Sequence, residues 1–131
     1  MLAFAAVAAA AIGGADIRGD WVTSDRSAVV RIAPCGSGMC GTVVRVLARG
    51  PGIPRTDVKN PDSTRRSRPL VGLTVLSGFK AAASGWSGGR AYDPESGRTY
   101  NARLSLNPDN TLAVTGCVLF ICKSQTWRRA G

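Results

Sequence analysis

Gly88-Gly89-Arg90-Ala91-Tyr92-Asp93-Pro94-Glu95-Ser96-Gly97-Arg98-Thr99-Tyr100-Asn101-Ala102-Arg103-Leu104-Ser105-Leu106 is the stretch whose reading decides the fold. It reads as strand, tight turn, strand. After the turn, Tyr100, Ala102, Leu104 and Leu106 fall on one face, while Thr99, Asn101, Arg103 and Ser105 fall on the other. That is the period of two expected of a strand with one buried and one wet face. Pro94 presets φ for a turn and Gly97 can take positive φ where the second strand starts, so the pair closes locally. A hairpin this long needs further strands to cover its apolar face.

Those strands are present on both sides. Downstream, Asn107-Pro108-Asp109-Asn110 is a tight turn in which Asn110 can adopt the left-handed conformation. Leu112, Val114 and Gly116 then face inward, and a final strand runs over about residues 121–129. Upstream, residues 18–22 form a first strand, and Ala28, Val30 and Ile32 alternate with Val29 and Arg31 in a second. Residues 41–48 form a third, residues 70–76 a fourth, and residues 77–83 a fifth after a break at Ser77-Gly78. Hairpin-length connections make neighbours antiparallel. Residues 49–69 are the exception: a long Pro-, Asp-, Ser- and Arg-rich connection with one helical turn expected near residues 63–67. No convincing helical period occurs after residue 15. Eight or nine short strands with frequent turns predict an all-β fold, a single antiparallel up-and-down barrel, since closure removes exposed sheet edges.

At 131 residues the chain makes one domain. Leu2 to Ile12 is an apolar run too short to span a bilayer, followed by the small residues Gly13-Gly14-Ala15. Residues 1–15 are therefore expected to be a cleaved signal peptide, although no basic segment precedes the run, and residues 16–131 the mature domain, periplasmic or secreted. Cys35, Cys40, Cys117 and Cys122 form two pairs, each with four residues between partners. Local disulfides are expected, each worth on the order of 2 kcal/mol. The rival is a four-thiolate zinc site, for which this spacing is wide and an oxidising compartment unsuitable. No metal or cofactor is expected.

The formal charge is +9 and there is no histidine. That removes the commonest general base, metal ligand and pH switch. A basic surface suits nucleic acid, anionic lipid or an acidic cell-wall polymer, and export disfavours nucleic acid. Asp57 and Asp62 flank Asn60-Pro61 in the long connection and invite an acid–base reading, but Asp-x-x-Asn-Pro-Asp is also an ordinary way to hydrogen-bond an irregular loop. Asp93 and Glu95 are turn residues. With no nucleophile elbow or phosphate loop, an enzyme is not expected. Asp57, Asn60, Arg65, Arg66 and Arg68 are the candidate rim of a binding site, against the plainer reading of a solvated basic loop.

A set of residues in order resembles a known family. Trp21, Val30-Arg31-Ile32, Cys35-Gly36 with Cys40-Gly41, Thr56-Asp57 with Asn60-Pro61, Arg68-Pro69-Leu70 with Gly72, Tyr92-Asp93-Pro94 with Ser96-Gly97, Gly116-Cys117 and Thr126-Trp127-Arg128 resemble the bacterial domain-of-unknown-function family DUF2147. The resemblance covers nearly all of residues 16–131 and implies an exported protein with a small lipocalin-like barrel. Gly19-x-Trp21 is similar to the start of lipocalins, where an arginine of the last strand lies over the tryptophan; Arg128 or Arg129 is placed to do so, with Arg128 taken as the partner. Such a barrel would bind a small apolar or amphipathic ligand between Val44, Val46, Leu73, Val75, Tyr100, Leu104, Leu112 and Val114. The plainer reading is that these side chains fill the barrel. The alternative function is an envelope interaction module that docks its basic surface on anionic lipid, cell-wall polymer or a partner protein.

Overall fold

A computed structural model describes residues 16–131; the expected signal segment lies outside them. The eight strands are β1 (Gly19–Val22), β2 (Ala28–Cys35), β3 (Gly38–Val46), β4 (Thr74–Ala82), β5 (Gly85–Asp93), β6 (Arg98–Leu106), β7 (Leu112–Val118) and β8 (Ile121–Arg129). Each pairs antiparallel with the next, and β8 returns to β1, so the chain is a closed up-and-down barrel in sequence order. The founding hairpin is β5–β6, with Asp93 opposite Arg98 and Ala91 opposite Tyr100. Asn110 takes φ 67° in the β6–β7 turn, as the turn chemistry predicts.

Two parts of the strand reading need correction. The fourth and fifth strands are one element, β4, and residues 70–73 belong to the connection before it. Gly78 does not end the strand. At φ 75° it absorbs one of the extra residues by which β4 runs ahead of β3, a bulge that glycine tolerates. In β3, Val30 lies opposite Val43 and Val29 opposite Arg45. Val44 is the extra residue of that bulge and has no place in the core; Val43 takes it.

The barrel is filled by its own side chains. Trp21, Ile32, Phe79, Leu104, Leu112 and Trp127 are all buried in one cluster. Large side chains fit because glycines face them. A Cβ on Gly89 would stand 2.5 Å from the Phe79 ring, and one on Gly41 would stand 2.9 Å from both Leu76 and Val30. Leu73, Val75, Leu104, Leu112 and Val114 are part of this core, Val46 packs against it, and Tyr100 is half-buried.

One end of the barrel is closed from below. The Trp21 ring is fully buried and donates its Nε1–H to the Ile17 carbonyl at 2.9 Å. The Arg129 guanidinium lies 4.1 Å from the ring centroid, a cation–π contact worth roughly 0.5–2 kcal/mol. It also donates to the carbonyls of Arg18 (2.8 Å) and Asp16 (3.2 Å), tying the incoming chain to the last strand. Arg129, not Arg128, is the partner: Trp127 faces inward, so Arg129 does too, and it lies opposite Trp21 in the register. Arg128 faces outward.

Gly89→Ala is expected to destabilise the fold by about 1–3 kcal/mol through the clash with Phe79. Gly52→Ala, where a Cβ meets nothing within 4 Å, is expected to stay within about 0.5 kcal/mol of the parent. Urea denaturation of the three proteins measures both.

Candidate functional site

Antiparallel strands in sequence order put alternate connections at the same end. The β1–β2 turn (residues 23–27), the long connection (residues 47–73), the β5–β6 turn (residues 94–97) and the β7–β8 turn (residues 119–120) therefore meet at the end opposite Trp21. This end is the mouth of the barrel.

The long connection folds into the mouth around Asp57, which is 0% exposed. Tyr92 Oη donates to Asp57 Oδ1 at 2.6 Å, Asn60 Nδ2 to Oδ2 at 2.8 Å, and Arg68 Nη2 to Oδ2 at 3.2 Å. Arg66 Nε donates to the Asn60 carbonyl at 2.7 Å. A buried carboxylate is tolerated only when its oxygens are satisfied in this way. Burial, then the hydrogen bond to Asp57 and its charge, push the Tyr92 phenol up to about 12. Asp57, Asn60, Arg66 and Arg68 thus come together, whereas Arg65 pairs with Asp62 at 3.4 Å on the surface. Asp62 also caps the short 3-10 turn Ser63–Arg65, its Oδ1 accepting from Thr64 N at 3.0 Å. Arg66 and Arg68 turn donors into the loop, although Arg68 Nε is buried without a partner among the described residues, and both Asp57 oxygens are occupied.

A second clasp joins two turns. The β1–β2 and β5–β6 turns sit four strands apart in a ring of eight, so the hydrogen bond between the Asp25 and Glu95 carboxyls runs across the mouth. That bond, with the charge of Asp25, partial burial and Asp93 adding to it, raises Glu95 to about 7. Partial burial works against the Asp25 carboxylate, but hydrogen bonds from Glu95, Ser27 and Thr23 outweigh it and bring its pKa to about 2.

The β7–β8 hairpin stands out of the mouth. Cys117 and Cys122 lie directly opposite each other and are disulfide-bonded; Cys35 and Cys40 are bonded at the β2–β3 hairpin, which excludes the four-thiolate site. Beyond the second bridge the tip is Val118-Leu119-Phe120-Ile121, with Leu119 87% and Phe120 99% exposed. Leu119 holds φ 54°, a conformation that bulky residues avoid and that hairpin turns usually give to Gly or Asn. The sequence signal was there to be read: four apolar residues bracketed by cysteines, with no turn former among them.

Two concavities stand out among the described residues. One, about 360 Å³, runs along the outside of the β1–β8 seam and is lined by Val22, Thr23, Arg26, Leu47, Thr126 and Arg128 among others. The other, about 280 Å³, is a depression over Ser87, Gly88, Asn101 and Arg103. Neither is lined by any large core side chain.

Tyr92→Phe is expected to cost about 1–3 kcal/mol, because it leaves one oxygen of a buried carboxylate without its donor; urea denaturation at neutral pH reads this. The raised Glu95 pKa gives a sign for pH dependence. Its contribution to stability is complete below its ordinary value of 4.5 and is lost as pH rises through about 7. The lowered Asp25 pKa contributes above 3.8 and is lost as pH falls through about 2. Melting temperature should therefore fall between pH 4.5 and about 7 in the parent, and Glu95→Gln, which still donates to Asp25, should flatten that slope.

The chain can now be set beside known proteins. A solved structure described as protein HP1028 from the human pathogen Helicobacter pylori, belonging to the lipocalin family, matches it with a TM-score of 0.75. The match covers 88% of this chain and 84% of that one at 22% identity, a likeness of fold. No curated protein matches the chain. The family described as uncharacterized protein conserved in bacteria (DUF2147) matches residues 19–129. Its reach, from the first residue of β1 to the last of β8, takes in the whole barrel, and the chain belongs to the DUF2147 family.

Proposed function

We propose that this protein is an exported envelope module that docks on anionic lipid through the mouth end of its barrel. The observation that carries this reading is the stapled apolar tip, Val118 to Ile121, projecting beyond the mouth. Nothing in the barrel needs four exposed apolar residues there, and the left-handed Leu119 costs stability rather than adding to it. Arg26 and Lys59 sit on connections at the same end and Arg98 begins β6 there, and among the described residues none of them has a carboxylate within 4 Å; only Arg18, Arg31, Arg65 and Arg68 do. Burying Leu119 and Phe120 in a lipid interface is worth roughly 1.5–3 kcal/mol each. Each cation near an anionic surface adds about 1 kcal/mol.

A lipocalin-like fold also suggests a small apolar ligand inside the barrel. The filled interior favours the docking reading, because Trp21, Phe79 and Trp127 occupy the space that a ligand would need.

Co-sedimentation with vesicles tests the proposal. Binding to phosphatidylglycerol-rich vesicles should exceed binding to phosphatidylcholine vesicles and weaken steeply with salt. Leu119→Ser with Phe120→Ser should lower the partition coefficient by roughly a hundredfold. Equal binding to both lipids, or an unchanged double variant, overturns the reading. A stoichiometric small molecule released in native mass spectrometry of protein from its own source would replace it with the carrier reading.

A further inference from the structure

The barrel closes along only part of its seam. β1 contributes two residue pairs to β8, Trp21 with Arg129 and Val22 with Arg128. It then turns away: Arg26 N donates to the Thr23 carbonyl at 2.9 Å and Thr23 N to the Ala28 carbonyl at 3.1 Å. β8 continues upward from Thr126 to Ile121 with β7 on one side and, among the described residues, no strand on the other, where only the Ser24 hydroxyl reaches the Gln125 side chain at 3.2 Å; all six of these residues are exposed.

The orientation of the free backbone groups follows from the register. Cys117 and Cys122 are opposite each other with Cα atoms 4.1 Å apart, the separation of a non-hydrogen-bonded antiparallel pair. Alternation makes Gly116–Lys123 and Val114–Gln125 the hydrogen-bonded pairs. The N–H and C=O of Cys122, Ser124 and Thr126 therefore point away from β7. The same alternation points Arg128 and Ala130 at β1, in agreement with the Ala130 N–H donating to the Asp20 carbonyl at 2.9 Å. The line of groups that β1 satisfies at the bottom of the seam continues above it without a partner strand among the described residues.

We propose that this upper edge of β8 is a strand-addition site for an acidic, extended peptide segment, which would continue the line of β1 antiparallel to β8. Charge and the two faces of β8 select the partner. The outer face carries Arg128, and the adjoining groove of about 360 Å³ brings Arg26 beside it; among the described residues neither has a carboxylate within 4 Å. The inner face carries Ile121, Lys123 and Gln125 above the mouth. Acidic side chains outward toward the Arg26 and Arg128 groove, with an apolar one inward beside Ile121, match these two rows. A second copy of this chain matches them poorly, since β8 itself carries Lys123, Arg128 and Arg129 and no carboxylate to meet them. The site does not use the Leu119-Phe120 tip and stands apart from lipid docking.

An NMR titration of the isotope-labelled protein with a blocked hexapeptide of alternating Glu and Val tests the assignment. The amides of Cys122, Ser124 and Thr126 should shift and their exchange slow by roughly tenfold or more. The same peptide N-methylated at alternate residues should not bind. Ser124→Pro removes an N–H that β7 does not use and should abolish binding, while Ser124→Ala, which loses only the hydroxyl bonded to Thr115 at 2.6 Å, should bind normally. Arg26→Glu with Arg128→Glu should switch the preference to a Lys-Val peptide. Undiminished binding of the N-methylated peptide, perturbation confined to other strands, no binding of the acidic peptide, or an edge taken by a second copy as the protein is concentrated overturns the proposal.

Discussion

An eight-strand barrel has to join its last strand to its first, and here the joint is small. Two residue pairs connect β1 to β8, the fewest between any neighbouring strands of the barrel, so the ladder alone is a weak seam. The Arg129 side chain makes up the difference by acting on three partners at once. It lies over the Trp21 ring and donates to the carbonyls of Arg18 and Asp16. Those carbonyls belong to the segment crossing beneath the barrel, which also receives the Trp21 indole N–H. Gly19 is part of the same device. At φ 126°, with Arg129 Nη1 only 3.0 Å from where a Cβ would stand, it gives the chain its bend and leaves the guanidinium room. The Gly-x-Trp pattern is thus a closure element whose third member is at the other end of the chain.

At the mouth, polar groups do the corresponding work. Asp57 gathers Tyr92 from β5, Asn60 from its own turn and Arg68 from the far end of the long connection. Each of these donors satisfies a buried charge that would otherwise forbid the arrangement, so the segment is held by mutual necessity rather than by apolar area. The Asp25–Glu95 contact does something different. It joins two turns that no strand connects, and its strength depends on which carboxyl carries the proton.

Strands were legible in the sequence wherever one face was uniformly apolar. Tyr100 to Leu106 alternates without interruption, and β6 is the strand this predicts. Alternation fails at bulges, because one extra residue flips every later side chain. Val44 was assigned inward on parity, and the bulge opposite Val29 and Val30 gives its place to Val43. At Ser77-Gly78 the glycine that marks a bulge looks like one that ends a strand, and no local pattern separates the two. Arg128 and Arg129 are adjacent, so only the inward direction of Trp127 distinguishes them. The Asp57 cluster was legible as residues but not as a network: the Tyr92 partner lies 35 positions away. Val118 to Phe120 carry no expectation in the sequence reading, because apolar residues are expected to be buried, and here they are exposed.

Closure by Arg129 also has a consequence for the order in which the molecule can be made. Each of the seven other pairings joins neighbours in sequence, all but β3–β4 through a short turn, so they can form one after another as the chain emerges, at low cost in loop entropy. The seam cannot. Arg129 and the Arg18 carbonyl it binds are 111 residues apart, and Arg129 is the last residue of β8. Until β8 has been made, the chain is an open curl of strands with two bare edges and Trp21 uncovered. The end of β8 converts that curl into a ring in a single step.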